Sequence, residues 1–338
     1  MKKKIISALI ILCALNSACF GADVSAESAI AIDADSGRVL FEKNADERRL
    51  IASTTKIMTA LVALETLDRD ARVRVPEEAA LVGGSSMYLR AGEDVSVREL
   101  LYGLLLESGN DAAVTLASAC GNADEFVKKM NEKAASLGLS DTHFTNPHGL
   151  DDREHYSTAR DLAHLASCAL DNEDFASICA CKSASVCGRT ITNHNKLLSL
   201  YEGVIGVKTG FTQKAGRCLV SAAQRNGRRV VCVTLCAPDD WNDHIKLYDA
   251  VFSSLHRVKI AAQGDCAAEI PLAGGGFVRL QYLQDLEAEL LGDEEAALRL
   301  VIEAPKFYYE KPPKYEIAGF AKLFSGGKLI ASAELGAL

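Results

Sequence analysis

The chain has 338 residues, with 37 Lys and Arg against 45 Asp and Glu, so its formal net charge is -8. This length favours one large domain with a smaller one and excludes a single small module. The acidic balance argues against nucleic acid or an anionic membrane surface as the main partner, and a hydrophobic content of 49% excludes a disordered chain.

The first 22 residues have the order of a secretory signal peptide. Lys2, Lys3 and Lys4 precede an apolar run, and small residues such as Ala22 follow that run. The apolar run is too short to span a bilayer. We therefore predict an exported protein, with cleavage near Ala22 and an uncleaved anchor as the alternative.

The next predicted elements are strands, followed by helices and then by strands again. Residues 29–41 are typical of two short strands joined by a turn at Asp35, Ser36 and Gly37. Residues 54–67 predict a helix that is apolar nearly all round and therefore buried. Periodicity and β-branched content predict further helices at 97–107, 112–119, 123–137 and 159–170, and strands at 204–209, 217–223 and 230–237.

The sequence pattern changes near residue 258, where short alternating segments begin. Gly326 and Gly327 predict a hairpin turn in this stretch. The predicted short strands lie at 277–283, 298–303, 317–324 and 329–335. The expected organisation is therefore a signal peptide at 1–22, a large mixed α/β domain at 23–258 and a small β-rich domain at 259–338.

Cysteine usage is unusual for an exported protein. Without Cys13 and Cys19, nine of the 11 cysteines remain, so at least one has no partner in the same chain. No CxxC pair or histidine at metal-ligand spacing accompanies them. We interpret them as buried small hydrophobic residues. Our hypothesis is that an oxygen-poor environment preserves the thiols, which a thiol count with and without reductant tests.

The segment Ser53-Thr54-Thr55-Lys56 opens the predicted buried helix. A spacing of three places the Ser53 hydroxyl and the Lys56 amine on one helix face. An N-terminal helix cap explains Ser53 without any chemistry. It does not explain Lys56, because a positive charge in the first turn is opposed by the helix dipole. Burial lowers the pKa of an amine, which makes Lys56 a candidate base for a serine nucleophile.

Two further short motifs follow in the chain. Ser108 and Asn110 flank a glycine after a predicted helix, where a helix-ending turn is the plain alternative. Lys208-Thr209-Gly210 ends a predicted strand, and a solvated lysine before a turn is its plain alternative. Each motif alone is weak evidence, but the three together and in this order weigh far more.

The three motifs form the known signature of penicillin-binding proteins and serine β-lactamases. Their surroundings resemble the low-molecular-mass penicillin-binding proteins that are serine D-alanyl-D-alanine carboxypeptidases. The similar segments are IASTTKIMTALVALE, LESGNDAA, FTNPHGLDD, HYSTARDLA and VKTGFTQKAGRCLVSAA, with a looser match through KPPKYEIAGFAKLFSGGKLIASAEL. The resemblance implies an antiparallel sheet flanked by helices, a small C-terminal β-rich domain, and action on the outer side of a bacterial cell envelope, secreted or periplasmic.

The resemblance also implies a mechanism. Ser53 attacks the carbonyl between the two terminal D-alanines of a peptidoglycan stem pentapeptide, and Lys56 takes its proton. Ser108 and Asn110 relay protons and hold the substrate. β-Lactam antibiotics are then expected to bind covalently, and no metal or other cofactor is implied.

Substrate binding is assigned by the same resemblance to the third motif. Lys208, Thr209 and Gly210 are expected to bind the substrate at its terminal carboxylate. The backbone N–H groups of Phe211 and Ser53 form the oxyanion hole. Members of this family commonly end in an amphipathic membrane helix, whereas this chain ends in a strand-like run, so membrane attachment is not favoured.

Two other functions remain open at this point. A class A β-lactamase would need a glutamate that activates water, but the contexts of Glu154, Glu173 and Glu202 do not resemble its loop. A silent cell-wall-binding protein is the second alternative, although it need not retain both reactive residues. His148 and His194 are interpreted as structural groups and not as members of a catalytic triad.

Overall fold

The computed structural model describes residues 22–292 and 294–338. These residues form two compact units, of which the first ends at Ser254 and the second spans Leu255–Leu338. The predicted signal peptide at 1–22 lies outside the described residues, apart from Ala22. Within the described ranges, no helix has the length and apolar content needed to cross a membrane.

The first unit combines a five-stranded antiparallel sheet, in the order β2-β1-β9-β8-β7, with helices and short strand pairs. Its strands are β1 (Ser28–Asp33), β2 (Val39–Lys43), β3 (Arg72–Arg74), β4 (Asp94–Ser96), β5 (Ser183–Val186), β6 (Arg189–Thr192), β7 (Val204–Thr212), β8 (Gly216–Arg225) and β9 (Arg228–Leu235). Its helices are α1 (Lys56–Thr66), α2 (Glu77–Leu81), α3 (Val97–Leu105), α4 (Asn110–Ala119), α5 (Ala123–Ser136), α6 (Ala159–Leu170), α7 (Glu173–Ala180), α8 (Leu197–Leu200) and α9 (Asp240–Ser253).

Local sequence signals explain several of these elements. The β1–β2 turn forms because the Asp33 carboxylate accepts hydrogen bonds from the backbone N–H groups of Asp35 and Ser36. α3 begins with a capping box in which Ser96 and Glu99 bond each other's backbone. α1 is buried along most of its length, as its apolar composition predicts. β7 continues through Thr212, so the whole Lys-Thr-Gly-Phe segment lies in a strand at the edge of the sheet.

The sequence analysis missed α9, and the reason is its unusual buried face. The helix packs His244 and Tyr248 against the sheet, where both side chains lie 2.6 Å from the Ser221 hydroxyl. Asp243 is also buried and accepts hydrogen bonds from Ser25. These buried polar groups interrupt the apolar stripe that marks an amphipathic helix.

The second unit is β-rich, as predicted. Its main sheet has the order β11-β12-β16-β15-β14, and a separate pair joins β10 to β13. The Gly326-Gly327 turn is confirmed, because Ser325 pairs with Lys328 across it and both glycines have positive φ. The strands are β10 (Leu255–Ala261), β11 (Cys266–Pro271), β12 (Phe277–Tyr282), β13 (Leu286–Leu291), β14 (Leu298–Glu303), β15 (Ile317–Ser325) and β16 (Lys328–Ala337).

The nine cysteines of the described residues are all free thiols. Cys179, Cys218 and Cys232 are buried, in agreement with the interpretation as small hydrophobic residues. That interpretation is wrong for Cys168 and Cys266, whose residues are exposed. The hypothesis of an oxygen-poor environment stays a prediction.

Candidate active site

Ser53 lies in a short 3-10 turn, Ala52–Thr55, that leads directly into α1. No side chain caps this turn or α1, so a simple capping role does not account for Ser53. Its Oγ instead lies 2.8 Å from the Nζ of Lys56. The preceding residue, Ala52, has a φ of 47°, a left-handed conformation that is strained for alanine. Local strain and the three-residue spacing together present the hydroxyl to the amine.

Lys56 is fully buried and has no carboxylate within ion-pair distance among the described residues. Its Nζ contacts three oxygens: Ser53 Oγ at 2.8 Å, Asn110 Oδ1 at 2.7 Å and the His148 carbonyl at 2.6 Å. Burial holds the pKa of Lys56 well below its usual value, and the charge of Lys208 lowers it further against a smaller opposing effect of Asp111.

The three contacts of Lys56 define the direction of its lone pair. An uncharged amine has two N–H donors and one lone pair. The Asn110 side-chain oxygen and the His148 carbonyl only accept hydrogen bonds, so they take the two donors. The lone pair is then left facing Ser53 Oγ, where it is placed to accept the hydroxyl proton.

Asn110 and Ser108 belong to the segment that precedes and begins α4, and both lie close to the nucleophile or its base. Asn110 begins α4 and donates from its side chain to the Gly83 carbonyl, which fixes the amide oxygen toward Lys56. Ser108 is buried, has a φ of 63° and lines the cavity that contains Ser53. The neighbouring Asp111, which sequence reasoning missed, is also buried; its carboxylate accepts from the N–H groups of Met87, Leu89 and Ala112 and from the Ser86 hydroxyl.

The loop at 144–150 closes the other side of Lys56. The loop can approach Ala52 this closely because residue 149 is glycine, since a Cβ there would overlap the Ala52 carbonyl oxygen. The sequence analysis also missed His155, which lies under this loop. Its Nε2 is 2.7 Å from the Thr55 hydroxyl, and its Nδ1 accepts from the Thr145 N–H. Burial lowers the pKa of His155 to about 4, so the ring is neutral at pH 7.

The Lys-Thr-Gly motif approaches the nucleophile from β7. A Cβ on Gly210 would lie 3.0 Å from the Ser53 backbone nitrogen and 3.2 Å from the Ile51 carbonyl oxygen, so a larger residue would push β7 and this segment apart by a few tenths of an ångström. Thr209, Gly210 and Phe211 line the cavity, whereas Lys208 is buried and donates to its neighbour's carbonyl oxygen. Burial lowers the pKa of Lys208 to about 7. Lys208 therefore acts on Lys56 through its charge and does not itself line the cavity.

These groups surround a cavity of about 620 Å³, a size suited to a small peptide. No cluster of metal-ligating side chains occurs within the described ranges. Sequence reasoning missed Arg217, Asp240 and Trp241 in the cavity wall. The structure brings Arg217 there by pairing it with Phe211 across the β7–β8 ladder. The wall is formed by Ser53, Ser85, Ser108, Thr192, Asn193, His194, Lys196, Thr209, Gly210, Phe211, Arg217, Asp240 and Trp241.

Known proteins are similar to this chain in sequence and in fold. A family model described as D-alanyl-D-alanine carboxypeptidase matches residues 15–239. The D-alanyl-D-alanine carboxypeptidase DacF of Bacillus subtilis is 38% identical over 264 residues, which are 74% of this chain and 68% of that relative. Penicillin-binding protein 5 of Haemophilus influenzae matches with a TM-score of 0.69 at 29% identity, over 94% of this chain and 97% of its own. The Streptomyces K15 DD-transpeptidase matches with a TM-score of 0.64 at 38% identity, over 68% of this chain and 97% of its own.

Proposed function

This chain belongs to the D-alanyl-D-alanine carboxypeptidase family of serine peptidases, and from this premise we propose that Ser53 and Lys56 carry its chemistry. The membership confirms the resemblance read in the sequence, the mixed α/β fold and the assignment as a penicillin-binding serine hydrolase. The substrate is the D-alanyl-D-alanine end of a peptidoglycan stem peptide. The residue roles below are inferred from the geometry of the site.

Acylation begins with the uncharged Lys56 amine. Ser53 Oγ attacks the carbonyl carbon between the two D-alanines, and its proton passes to the Lys56 lone pair, 2.8 Å away. The C–N bond then breaks, and the leaving D-alanine takes a proton from Lys56, with the Ser108 hydroxyl as the proposed relay. An ester between Ser53 and the shortened peptide remains.

Backbone N–H groups of Ser53 and Phe211 are the proposed oxyanion hole. The support is the close approach of β7 to the Ser53 nitrogen, which the missing side chain of Gly210 favours. Preorganised N–H donors of this kind stabilise the negative oxygen of the tetrahedral intermediate. Water then attacks the ester carbonyl and gives one proton to Lys56, which passes it to Ser53 Oγ as the ester C–O bond breaks. The shortened peptide leaves as a carboxylic acid, which loses its remaining proton to solvent.

The terminal carboxylate is proposed to bind at the Thr209 hydroxyl in the field of Lys208. Thr209 lines the cavity, and the buried Lys208 amine donates to the Thr209 carbonyl oxygen at 2.8 Å. An arriving carboxylate favours the charged form of Lys208, which therefore strengthens binding to substrates that carry it. Asn110 and Ser108 close the site from the other side.

We also propose export through the signal peptide at 1–22 and action outside the cytoplasm, on the cell wall, in an enzyme that contributes to cell shape. β-Lactam antibiotics are proposed to acylate Ser53 and to inhibit the enzyme covalently. A β-lactamase is less well supported, because none of Glu154, Glu173 and Glu202 belongs to the cavity wall within the described residues.

The observation that carries the proposal is the contact of Ser53 Oγ with a buried amine that has no carboxylate partner in the described chain. The test is D-alanine release from diacetyl-L-Lys-D-Ala-D-Ala, together with fluorescent-penicillin labelling, in wild type and Ser53→Ala. Ser167→Ala is the matched control, because that hydroxyl only bonds a helical carbonyl on α6.

The three functions give different results in this experiment. Ser53→Ala is expected to lose release and labelling while the melting temperature stays within a degree or two, and Ser167→Ala to keep both. Labelling that persists in Ser53→Ala would reject Ser53. Rapid penicillin turnover without D-alanine release would identify a β-lactamase, and a folded protein without either signal would be a silent wall-binding protein.

A further inference from the structure

One part of the cavity wall has no role in the proposed acyl transfer. Arg217, Asp240 and Trp241 lie in the same cavity as Ser53. The Arg217 guanidinium donates from Nε to Asp240 Oδ1 at 2.9 Å, and its Nη2 forms an ion pair with the same oxygen at 2.7 Å. The guanidinium lies 5.4 Å from the centre of the Trp241 ring. The Asp240 side chain is only 4% exposed, whereas that of Arg217 is 41% exposed. A buried carboxylate and an indole therefore hold a guanidinium whose remaining N–H groups have no hydrogen-bond acceptor in the part of the chain that the structure describes.

The strand pairing places Arg217 next to the proposed oxyanion hole. Arg217 is the direct cross-strand partner of Phe211 in the β7–β8 ladder. Thr209 and Phe211 are two residues apart on β7, so their side chains share a face. The side chain of Arg217 adjoins that of Phe211, because directly paired residues project to the same side of a sheet.

The proposed substrate contacts define which end of the peptide Arg217 meets. The terminal carboxylate lies at Thr209 and the carbonyl under attack lies at Phe211, so the peptide runs antiparallel to β7. The residue before the two D-alanines then continues past Phe211, away from Thr209. Arg217 is the cation that the strand register places beside that continuation, and Asp151, which accepts a hydrogen bond from Thr212, is a carboxylate near it.

We propose that Arg217 binds a carboxylate on the side chain of the residue that precedes the two D-alanines, with Asp240 and Trp241 as positioning residues. The inference rests on the proposed function and names its substrate class. Asp240 neutralises the charge of Arg217 at longer range, so a distant carboxylate gains little from it. Selectivity for a carboxylate over an amide therefore comes from short charge-assisted hydrogen bonds to Arg217. A third residue that ends in a carboxylate gains these bonds, and one that ends in an amide or an ammonium does not.

A matched pair of peptides tests the subsite. N-acetyl-L-2-aminopimelyl-D-Ala-D-Ala carries a side-chain carboxylate, and its side-chain primary amide has the same length and shape. We expect the full-length wild type to show kcat/KM about tenfold higher for the acid, which corresponds to one charge-assisted hydrogen bond. Arg217→Gln is expected to bring the ratio close to one by lowering kcat/KM for the acid. Arg225→Gln, on the same strand but outside the cavity wall, is expected to keep the preference.

A second variant separates the loss of binding from a folding defect in Arg217→Gln. Replacing Arg217 alone leaves Asp240 buried without its cation, so Arg217→Gln with Asp240→Asn restores an uncharged, hydrogen-bonding pair. A wild-type ratio near one, or an unchanged ratio in either variant, overturns the subsite while D-alanine release still supports the proposed function. Absence of release from both peptides overturns the proposed function itself.

Discussion

The first unit of this protein buries two lysines, whereas the second unit buries no lysine or arginine among the residues whose burial is described. In the first unit, Lys56 and Lys208 are almost completely buried, and neither has an ion-pair partner within the described residues. In the second unit, charges sit on the surface in pairs such as Arg257 with Glu289 and Lys259 with Asp285. Burial changes the protonation equilibrium of an amine strongly, whereas an exposed pair is screened by water.

This contrast indicates where reactivity resides. An amine becomes a base near neutral pH only when the protein disfavours its charged form, and the first unit does so at two lysines. The core of the second unit is built from residues such as Leu280, Leu323 and Leu335, with Gln281, Glu294 and Ser325 as its buried polar residues. The following substitutions test the contrast in matched pairs.

The largest effect is expected from Lys56→Met, which keeps the length of the side chain but removes the base. We expect acylation by penicillin to fall by at least about 10³-fold, because a positioned general base contributes 10² to 10⁴ and its loss also disturbs Asn110. Lys259→Met, at an exposed lysine of the second unit, is expected to acylate at the wild-type rate. Stopped-flow labelling measures both, and an unchanged rate in Lys56→Met would remove that residue as the base.

The next effect is expected from Asp111→Asn. The Asp111 carboxylate accepts four hydrogen bonds, and an amide nitrogen in place of one oxygen would face N–H or O–H donors. We expect unfolding free energy to drop by roughly 2–4 kcal/mol. Asp285→Asn, at an exposed carboxylate of the second unit, is the control and is expected to leave the melting temperature unchanged. Equal stability of the two variants in urea would contradict the prediction.

Acid conditions are expected to destabilise the first unit through its buried histidines. Burial lowers the pKa of His155 from 6.5 to about 4, so the unfolded chain takes up the proton first as pH falls. The stability from this neutral ring is complete above pH 6.5 and is lost toward pH 4, by roughly 3 kcal/mol.

Urea unfolding at pH 7.5 and pH 4.5 measures this loss. We expect His155→Gln to lessen the pH dependence, because a glutamine at that position does not titrate. His148, which is half-buried, and His244, which is buried, also have lowered pKa values and retain part of it. His256→Gln, in the second unit, is the exposed control and is expected to keep the wild-type dependence. A slope in His155→Gln as steep as in wild type would show that its pKa is not lowered in the native state.

The sequence predicted best what depends on neighbours in the chain. Ser53 and Lys56 are one helical turn apart, and the spacing alone anticipates their contact. The helix predicted at 159–170 has the observed bounds of α6, because its apolar period is regular. The Gly326-Gly327 hairpin is equally local.

What the sequence did not predict depends on contacts between distant segments. The bond between Thr55 and His155 joins residues 100 positions apart, and nothing in either local pattern indicates it. The neighbourhood of Arg217 and Phe211 follows from the register of the β7–β8 ladder, which a propensity pattern does not specify. Asp111 was passed over because a carboxylate in a first helical turn is ordinary, and only its burial distinguishes it.

The smallest effect is expected from Arg257→Gln on β10. Its side chain is 66% exposed and pairs across the strands with Glu287 and Glu289. Exposed pairs of this kind contribute less than about 1 kcal/mol, and salt screens them further. We expect a small loss of stability at low ionic strength that disappears at 1 M salt, with D-alanine release unchanged. Differential scanning calorimetry at both salt concentrations measures it. A large, salt-independent loss would mean that the second unit also depends on desolvated charge, and the contrast between the units would then fail.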